Sequence, residues 1–178
     1  MPPGGQALCP GRLAPDIAAV ALALLATTAV NAADVIGQAP EPAAESRSLT
    51  TGELYDIYAN RTWIWEDGAG YFEVAGRRFT AFTKSGRKGS YADGRWFLTN
   101  PGRVCFRATW FAADGNAEAV TCFEHKTDGN TISQRRLPDG EWYVFSHLPP
   151  KRGDEILKLK AGNRVATSFE RNKTALSR

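Results

Sequence analysis

Arg103-Val-Cys-Phe-Arg-Ala-Thr-Trp-Phe111, then Ala112-Ala-Asp-Gly-Asn-Ala117, then Ala119-Val-Thr-Cys-Phe-Glu-His125: these three runs decide the fold. The outer two are apolar and rich in β-forming residues, and the middle one carries Asp114-Gly115, a strong short-range hairpin signal. Cys105 and Cys122 stand on either side of that turn, so they can face each other across an antiparallel ladder. We read them as a disulfide. Closing a loop of 17 residues would stabilise the fold by roughly 3 kcal/mol through the lost entropy of the unfolded chain.

Working outward, further strand-like runs are Thr62–Glu66, Gly70–Ala75, Arg78–Thr83, Arg95–Thr99, Thr131–Arg136 and Glu141–His147. Turn chemistry separates them: Asp67-Gly68, Gly76, Ser85-Gly86, Asp93-Gly94, Pro101-Gly102, Asp128-Gly129 and Pro138-Asp139-Gly140. Such short gaps permit only antiparallel neighbours, because a parallel crossover needs a dozen or more residues. A meander of this size must protect its edges. The expected fold is therefore all-β, an antiparallel meander closing into a lipocalin-like barrel or a strongly curved sheet. Paired aromatics follow three of the Asp-Gly turns, at Tyr71-Phe72, Trp96-Phe97 and Trp142-Tyr143. Adjacent strand residues face opposite sides, so one of each pair is expected inside.

One short helix precedes the strands. Thr50-Thr51-Gly52-Glu53 is a capping box, and Leu54, Ile57 and Tyr58 form an apolar stripe. Asn60 is the expected stop.

The N-terminal third has another character. Ile17 to Val30 is a small apolar run behind Arg12, and Val30-Asn31-Ala32 offers small residues for a signal peptidase. Residues 1–32 are thus expected to be a signal peptide, cleaved near Ala32 or Ala33. The run is short of the roughly 20 residues a spanning helix needs, so no transmembrane span is expected in the mature form. Residues 33–48, with Pro40 and Pro42, read as a disordered linker, 49–170 as one β-barrel-like domain and 171–178 as a frayed basic tail. In the stretch from Pro149 onwards, Ile156, Leu157, Leu159 and Val165 suggest one further element, a strand pair turning at Ala161-Gly162-Asn163. Export to the periplasm or medium would remove Cys9 and leave the even pair in an oxidising compartment.

Gly52-Glu-Leu-Tyr-Asp-Ile-Tyr-Ala-Asn-Arg-Thr-Trp-Ile-Trp65, Asp67-Gly-Ala-Gly-Tyr-Phe72, Gly94-Arg-Trp-Phe-Leu98, Gly102-Arg-Val-Cys-Phe-Arg-Ala-Thr-Trp110 and Gly140-Glu-Trp-Tyr-Val-Phe145 together resemble a family of small exported Gram-negative bacterial proteins. It is a domain of unknown function of rhizobial type. The resemblance implies an exported β domain and carries over no catalytic residue.

The residues themselves offer no catalytic constellation. His125 and His147 are the two histidines. Cys122-Phe-Glu-His125 has a metal-like spacing, yet residues three apart on a strand point to opposite faces. No Gly-x-Ser-x-Gly, His-Glu-x-x-His, P-loop or dinucleotide fingerprint occurs. Glu66-Asp67 and Asp154-Glu155 are adjacent acids that face apart. No enzyme, metal site or cofactor is expected.

Two non-catalytic readings follow. Residues 47–178 carry 21 basic and 15 acidic side chains. Arg77, Arg78, Arg87 and Lys88 could hold an anionic envelope component (a polysaccharide, a lipid head group or an envelope protein) in preference to nucleic acid. Alternatively, Trp63, Trp96, Trp110 and Trp142, with Arg95 and Arg107 for an acidic head group, could line a barrel that binds a small apolar or amphipathic ligand.

Overall fold

The chain enters its fold through a reciprocal cap. In the computed structural model, which describes residues 45–84 and 89–177, Glu53 N–H donates to Thr50 Oγ1 at 3.2 Å and Thr50 N–H donates back to Glu53 Oε2 at 2.7 Å. The cap starts helix α1, Thr51–Tyr58. Asn60, with φ 54°, turns the chain out of it. Asparagine tolerates this left-handed conformation better than most residues. Leu54 and Tyr58 are fully buried. The expected signal peptide, residues 1–44 in general, and Arg87 and Lys88 lie outside the described residues.

Ten strands follow the chain order β1 Arg47–Ser48, β2 Arg61–Ile64, β3 Gly68–Phe72, β4 Arg78–Thr83, β5 Ser90–Thr99, β6 Arg103–Ala112, β7 Gly115–Thr127, β8 Thr131–Arg136, β9 Tyr143–His147 and β10 Leu159–Ala161. They form one antiparallel sheet in the order β10-β2-β3-β4-β5-β6-β7-β8-β9, with β1 added on β7. The meander is as expected, and the sheet curls into a half-barrel. Its two edges, β9 and β10, do not pair; a short 3-10 turn, Glu155–Lys158, packs against both.

Side-chain volume bends the sheet. The concave side holds Ala81, Ala92, Gly94 and Ala108 along its middle, whereas their convex neighbours include Phe82, Tyr91 and Arg107. Asp93-Gly94, expected to be a turn, lies inside β5. Gly94 is required there by close approach: a Cβ would stand 2.0 Å from Arg107 O.

Both faces of the central strands are covered. On the concave side α1 packs with Phe72, Phe79, Trp96 and Phe145, each ring contributing about 1.5–3 kcal/mol by leaving water. On the convex side a second helix, α2 Ala166–Leu176, sets Phe169 and the preceding Val165 on Ala69, Tyr71 and Phe82. This corrects the reading of the C-terminus, where a second strand and a frayed tail were expected. Asn163 Oδ1 accepts from Val165 N–H at 2.9 Å and Ala166 N–H at 3.1 Å, which turns the chain into a helix instead of a strand. Buried Asn172 then donates to Thr83 O and Ser90 O at 3.0 and 2.8 Å. The start of the folded chain also moves: Arg47 and Ser48, placed in the linker, pair with Thr127 and Lys126. No helix among the described residues is long and apolar enough to cross a membrane.

Two of the three aromatic pairs split as expected, while Trp142 and Tyr143 are both exposed. Trp96 is buried and Phe97 exposed; Phe72 is concave and Tyr71 lies beneath α2. Cys105 and Cys122 are directly opposed in the β6–β7 register and form a disulfide. Their neighbours Val104 and Phe123 point into the core, which places the disulfide on the convex side. Replacing both cysteines by alanine is expected to lower the unfolding free energy by about 3 kcal/mol with the same native far-UV spectrum, as read by urea titration.

Candidate functional site

The concave side of the half-barrel is filled at one end and open at the other. Around α1, Tyr58 is in contact with Trp63, Phe72, His125 and Phe145, with ring centroids 5.1–6.3 Å apart. Beyond this packed region the inner faces of β2, β6, β7 and β8 leave a cavity of about 310 Å³. Strand alternation builds its walls. Phe106 and Trp110 come from β6, Thr121 and Phe123 from β7, and Arg136 from the end of β8. Trp63 meets Phe123 edge-on at 4.9 Å across the curl.

Glycine creates the remaining wall. Trp65 follows β2 and lies against Gly68 and Gly70 of β3. A Cβ on Gly68 would meet Trp65 Nε1 at 2.7 Å, and one on Gly70 would meet Phe79 Cζ at 2.7 Å and Trp65 Cζ3 at 3.2 Å. The Gly-Ala-Gly spacing thus clears the concave side of β3 for two rings, while Ala69 turns to the convex side.

Of the six residues predicted to bind a ligand, the structure brings Trp63 and Trp110 into this cavity. Trp96 is elsewhere on the concave side. It is 1% exposed, donates its indole N–H to Glu73 O at 2.7 Å, and is covered by the Arg77 guanidinium at 4.5 Å. Trp142 is on the outside, between Lys126 at 4.4 Å and Arg135 at 4.8 Å. Arg95 and Arg107 oppose each other on the convex surface, one residue out of phase with Trp96, Ala108 and Trp110. Trp65, Phe106, Phe123 and Arg136 were missed. The available signal was alternation: Phe106, Ala108 and Trp110 share a face with Thr121 and Phe123 once Cys105 and Cys122 are paired.

Of the basic group, Arg77 and Arg78 are among the described residues and have different partners. Arg77 lies over Tyr55 and Trp96, and Arg78 pairs with Asp93 at 2.7 Å.

Next to the cavity is a buried polar cluster. Tyr58 Oη and His125 Nε2 are 2.9 Å apart; Gln134 Nε2 donates to Tyr58 Oη at 2.8 Å and lies 2.6 Å from His125 Nε2. Tyr143 Oη donates to Gln134 Oε1. His125 Nδ1 is 3.3 Å from Gly102 O, which assigns the proton to Nδ1 and leaves Nε2 as the acceptor. Burial holds this imidazole neutral, with its pKa pushed down to about 4, and raises the Tyr58 phenol. A neutral, fully enclosed histidine with every partner satisfied is suited to fixing strand register and has no access to a substrate.

His147 also has a defined role. Its Nδ1 is 2.8 Å from Asp154 Oδ1, and Asp154 also accepts from the backbone N–H of His147 and Lys151. Those backbone hydrogen bonds, with the imidazole, bring the Asp154 carboxyl down to about 2. Among the described residues no serine or threonine hydroxyl bonds to either imidazole, and no group of His, Cys, Asp and Glu is arranged to hold a metal.

A family model described as protein of unknown function (DUF995) matches residues 20–165. The chain belongs to this family. The DUF995 match spans α1 and all ten strands, and so every residue lining the aromatic cavity. No curated protein and no solved structure matches the chain.

The buried imidazole sets a pH dependence. An unfolded histidine titrates near 6.5, whereas folded His125 resists protonation to about 4. Between these values the unfolded chain binds the extra proton, so stability falls as pH drops. A loss of about 2 kcal/mol from pH 7 to pH 5 is expected by urea unfolding. This window lies above the range in which Glu53 and Asp154, both held at about 2, lose their contributions.

Proposed function

We propose that this chain is an exported, non-catalytic binding domain whose half-barrel holds a small apolar or amphipathic ligand in the aromatic cavity. The observation that carries this reading is the half-filled concave side. α1 already closes the core, and yet Trp65, Phe106, Trp110 and Phe123 stay half-buried around a space of about 310 Å³. Natural ligand sites begin at about 300 Å³ and combine apolar walls with few polar groups. The Cys105–Cys122 disulfide supports action in an oxidising compartment, periplasmic or extracellular, as does the signal-like run Ile17 to Val30.

The alternative, a basic surface holding an anionic envelope component, draws on the charge of residues 47–178. It has less local support, because Arg77 and Arg78 already have partners.

The pocket reading is tested with the neutral dye N-phenyl-1-naphthylamine, following its own emission and the quenching of tryptophan. Saturable binding is expected to the full chain. Thr121→Phe, which places a ring in the cavity from the concave side of β7, is expected to weaken it at least ten-fold, and Trp110→Ala several-fold, with unchanged far-UV spectra. Binding unaffected by Thr121→Phe in a folded protein would show that the dye sits elsewhere.

A further inference from the structure

The cavity has a chemical polarity that its aromatic walls alone do not reveal. Among the described residues its lining includes one ionisable side chain, and that side chain is a cation, Arg136. The adjacent Arg135, which faces the other way, is tied to Glu124 at 2.6 Å. Arg136 makes no ion pair and no side-chain hydrogen bond among the described residues. It ends the concave row Ile132, Gln134, Arg136, opposite Phe123 in the ladder. Its charge therefore sits at the rim, and its apolar stem continues the wall.

The other polar groups of the described lining are uncharged, the indoles and the hydroxyls of Thr83 and Thr121. The indoles of Trp65 and Trp110 can only donate, and neither has an acceptor among the described residues, nor does the Thr121 hydroxyl have a partner there. Glu155 is outside the lining and already engaged: it takes the Trp63 indole N–H at 2.8 Å and pairs with Lys158 at 2.7 Å. Among the described residues no carboxylate lines the cavity.

We infer that the ligand of this cavity is a small monocarboxylic acid, its apolar body between Trp65, Phe106, Trp110 and Phe123 and its carboxylate on the Arg136 guanidinium. This rests on the pocket reading above and adds the charge and size of the occupant. An arginine fork matches a carboxylate with two parallel hydrogen bonds, stronger than those between neutral groups. A cation would enter against the charge of Arg136, with no carboxylate among the described lining residues to offset it. The volume, equal to that of roughly ten waters in the liquid, holds an acid with a body of one ring or one short chain. A two-chain phospholipid is far too large.

Octanoate, octanol and octylamine share one body and differ in the head group, so displacement of the neutral dye from the full chain by each separates charge from hydrophobicity. Octanoate is expected to compete at least ten-fold better than octanol, with octylamine weakest. Arg136→Gln is expected to bring octanoate to the level of octanol, a loss for the acid at least ten-fold larger than any change for octanol or the dye. Equal competition by acid and alcohol, or an equal loss of both in Arg136→Gln, overturns the inference and leaves the pocket reading intact so long as Thr121→Phe still abolishes dye binding. Octylamine competing best would overturn it as well. If no compound competes and the dye ignores Thr121→Phe, the pocket reading falls, and the acid with it.

Discussion

The structure depends on one side chain reaching into a curled sheet. Tyr58, at the end of α1, has its ring among Trp63, Phe72 and Phe145 and its hydroxyl between His125 and Gln134. A sheet bent this far has a concave side that its own strands cannot fill, since the small residues that permit the bend leave space over them. The helix supplies the missing volume. Because its hydroxyl is satisfied by β7 and β8 while its ring packs on β2 and β3, Tyr58 connects strands that are far apart in the ladder. The helix stops short of the far end, and there the cavity remains.

The central hairpin was legible because every local signal agreed. Asp114-Gly115 marks where the chain reverses, the apolar alternation marks the strands, and the two cysteines fix the register: the loop is Ala113-Asp114, Gly115 already pairs with Ala112, and Cys105 faces Cys122. The capping box was as clear, since Thr50 and Glu53 stand three residues apart and bond reciprocally to each other's backbone N–H. Gly94 misled because a glycine after an aspartate looks the same in a turn and at a close strand crossing; the atom that forbids a Cβ, Arg107 O, belongs to another strand. α2 was hidden by Asn172, a polar residue in its buried stripe, whose partners Thr83 and Ser90 are distant in sequence.

The candidate site was half legible for the same reason. Choosing residues by type assembled Trp63, Trp96, Trp110 and Trp142, but position in the pleat assigns each to a side. Arg95 and Arg107 sit one residue away from inward positions and so face outward together. Arg136 could not be singled out from Arg135 beside it without the register of β8 on β7. Chemistry was readable residue by residue; convergence needed the ladder.

The gap between β9 and β10 has a mechanical meaning. In a closed barrel the bore is set by the number of strands and their stagger. Here the two margins are bridged by the 3-10 turn, by Trp63 on Glu155 and by Asp154 on the His147 backbone, with no ladder between them. The girth of this vessel is therefore governed by a few side-chain latches along one seam. Spreading that seam breaks none of the strand pairing that holds the wall together.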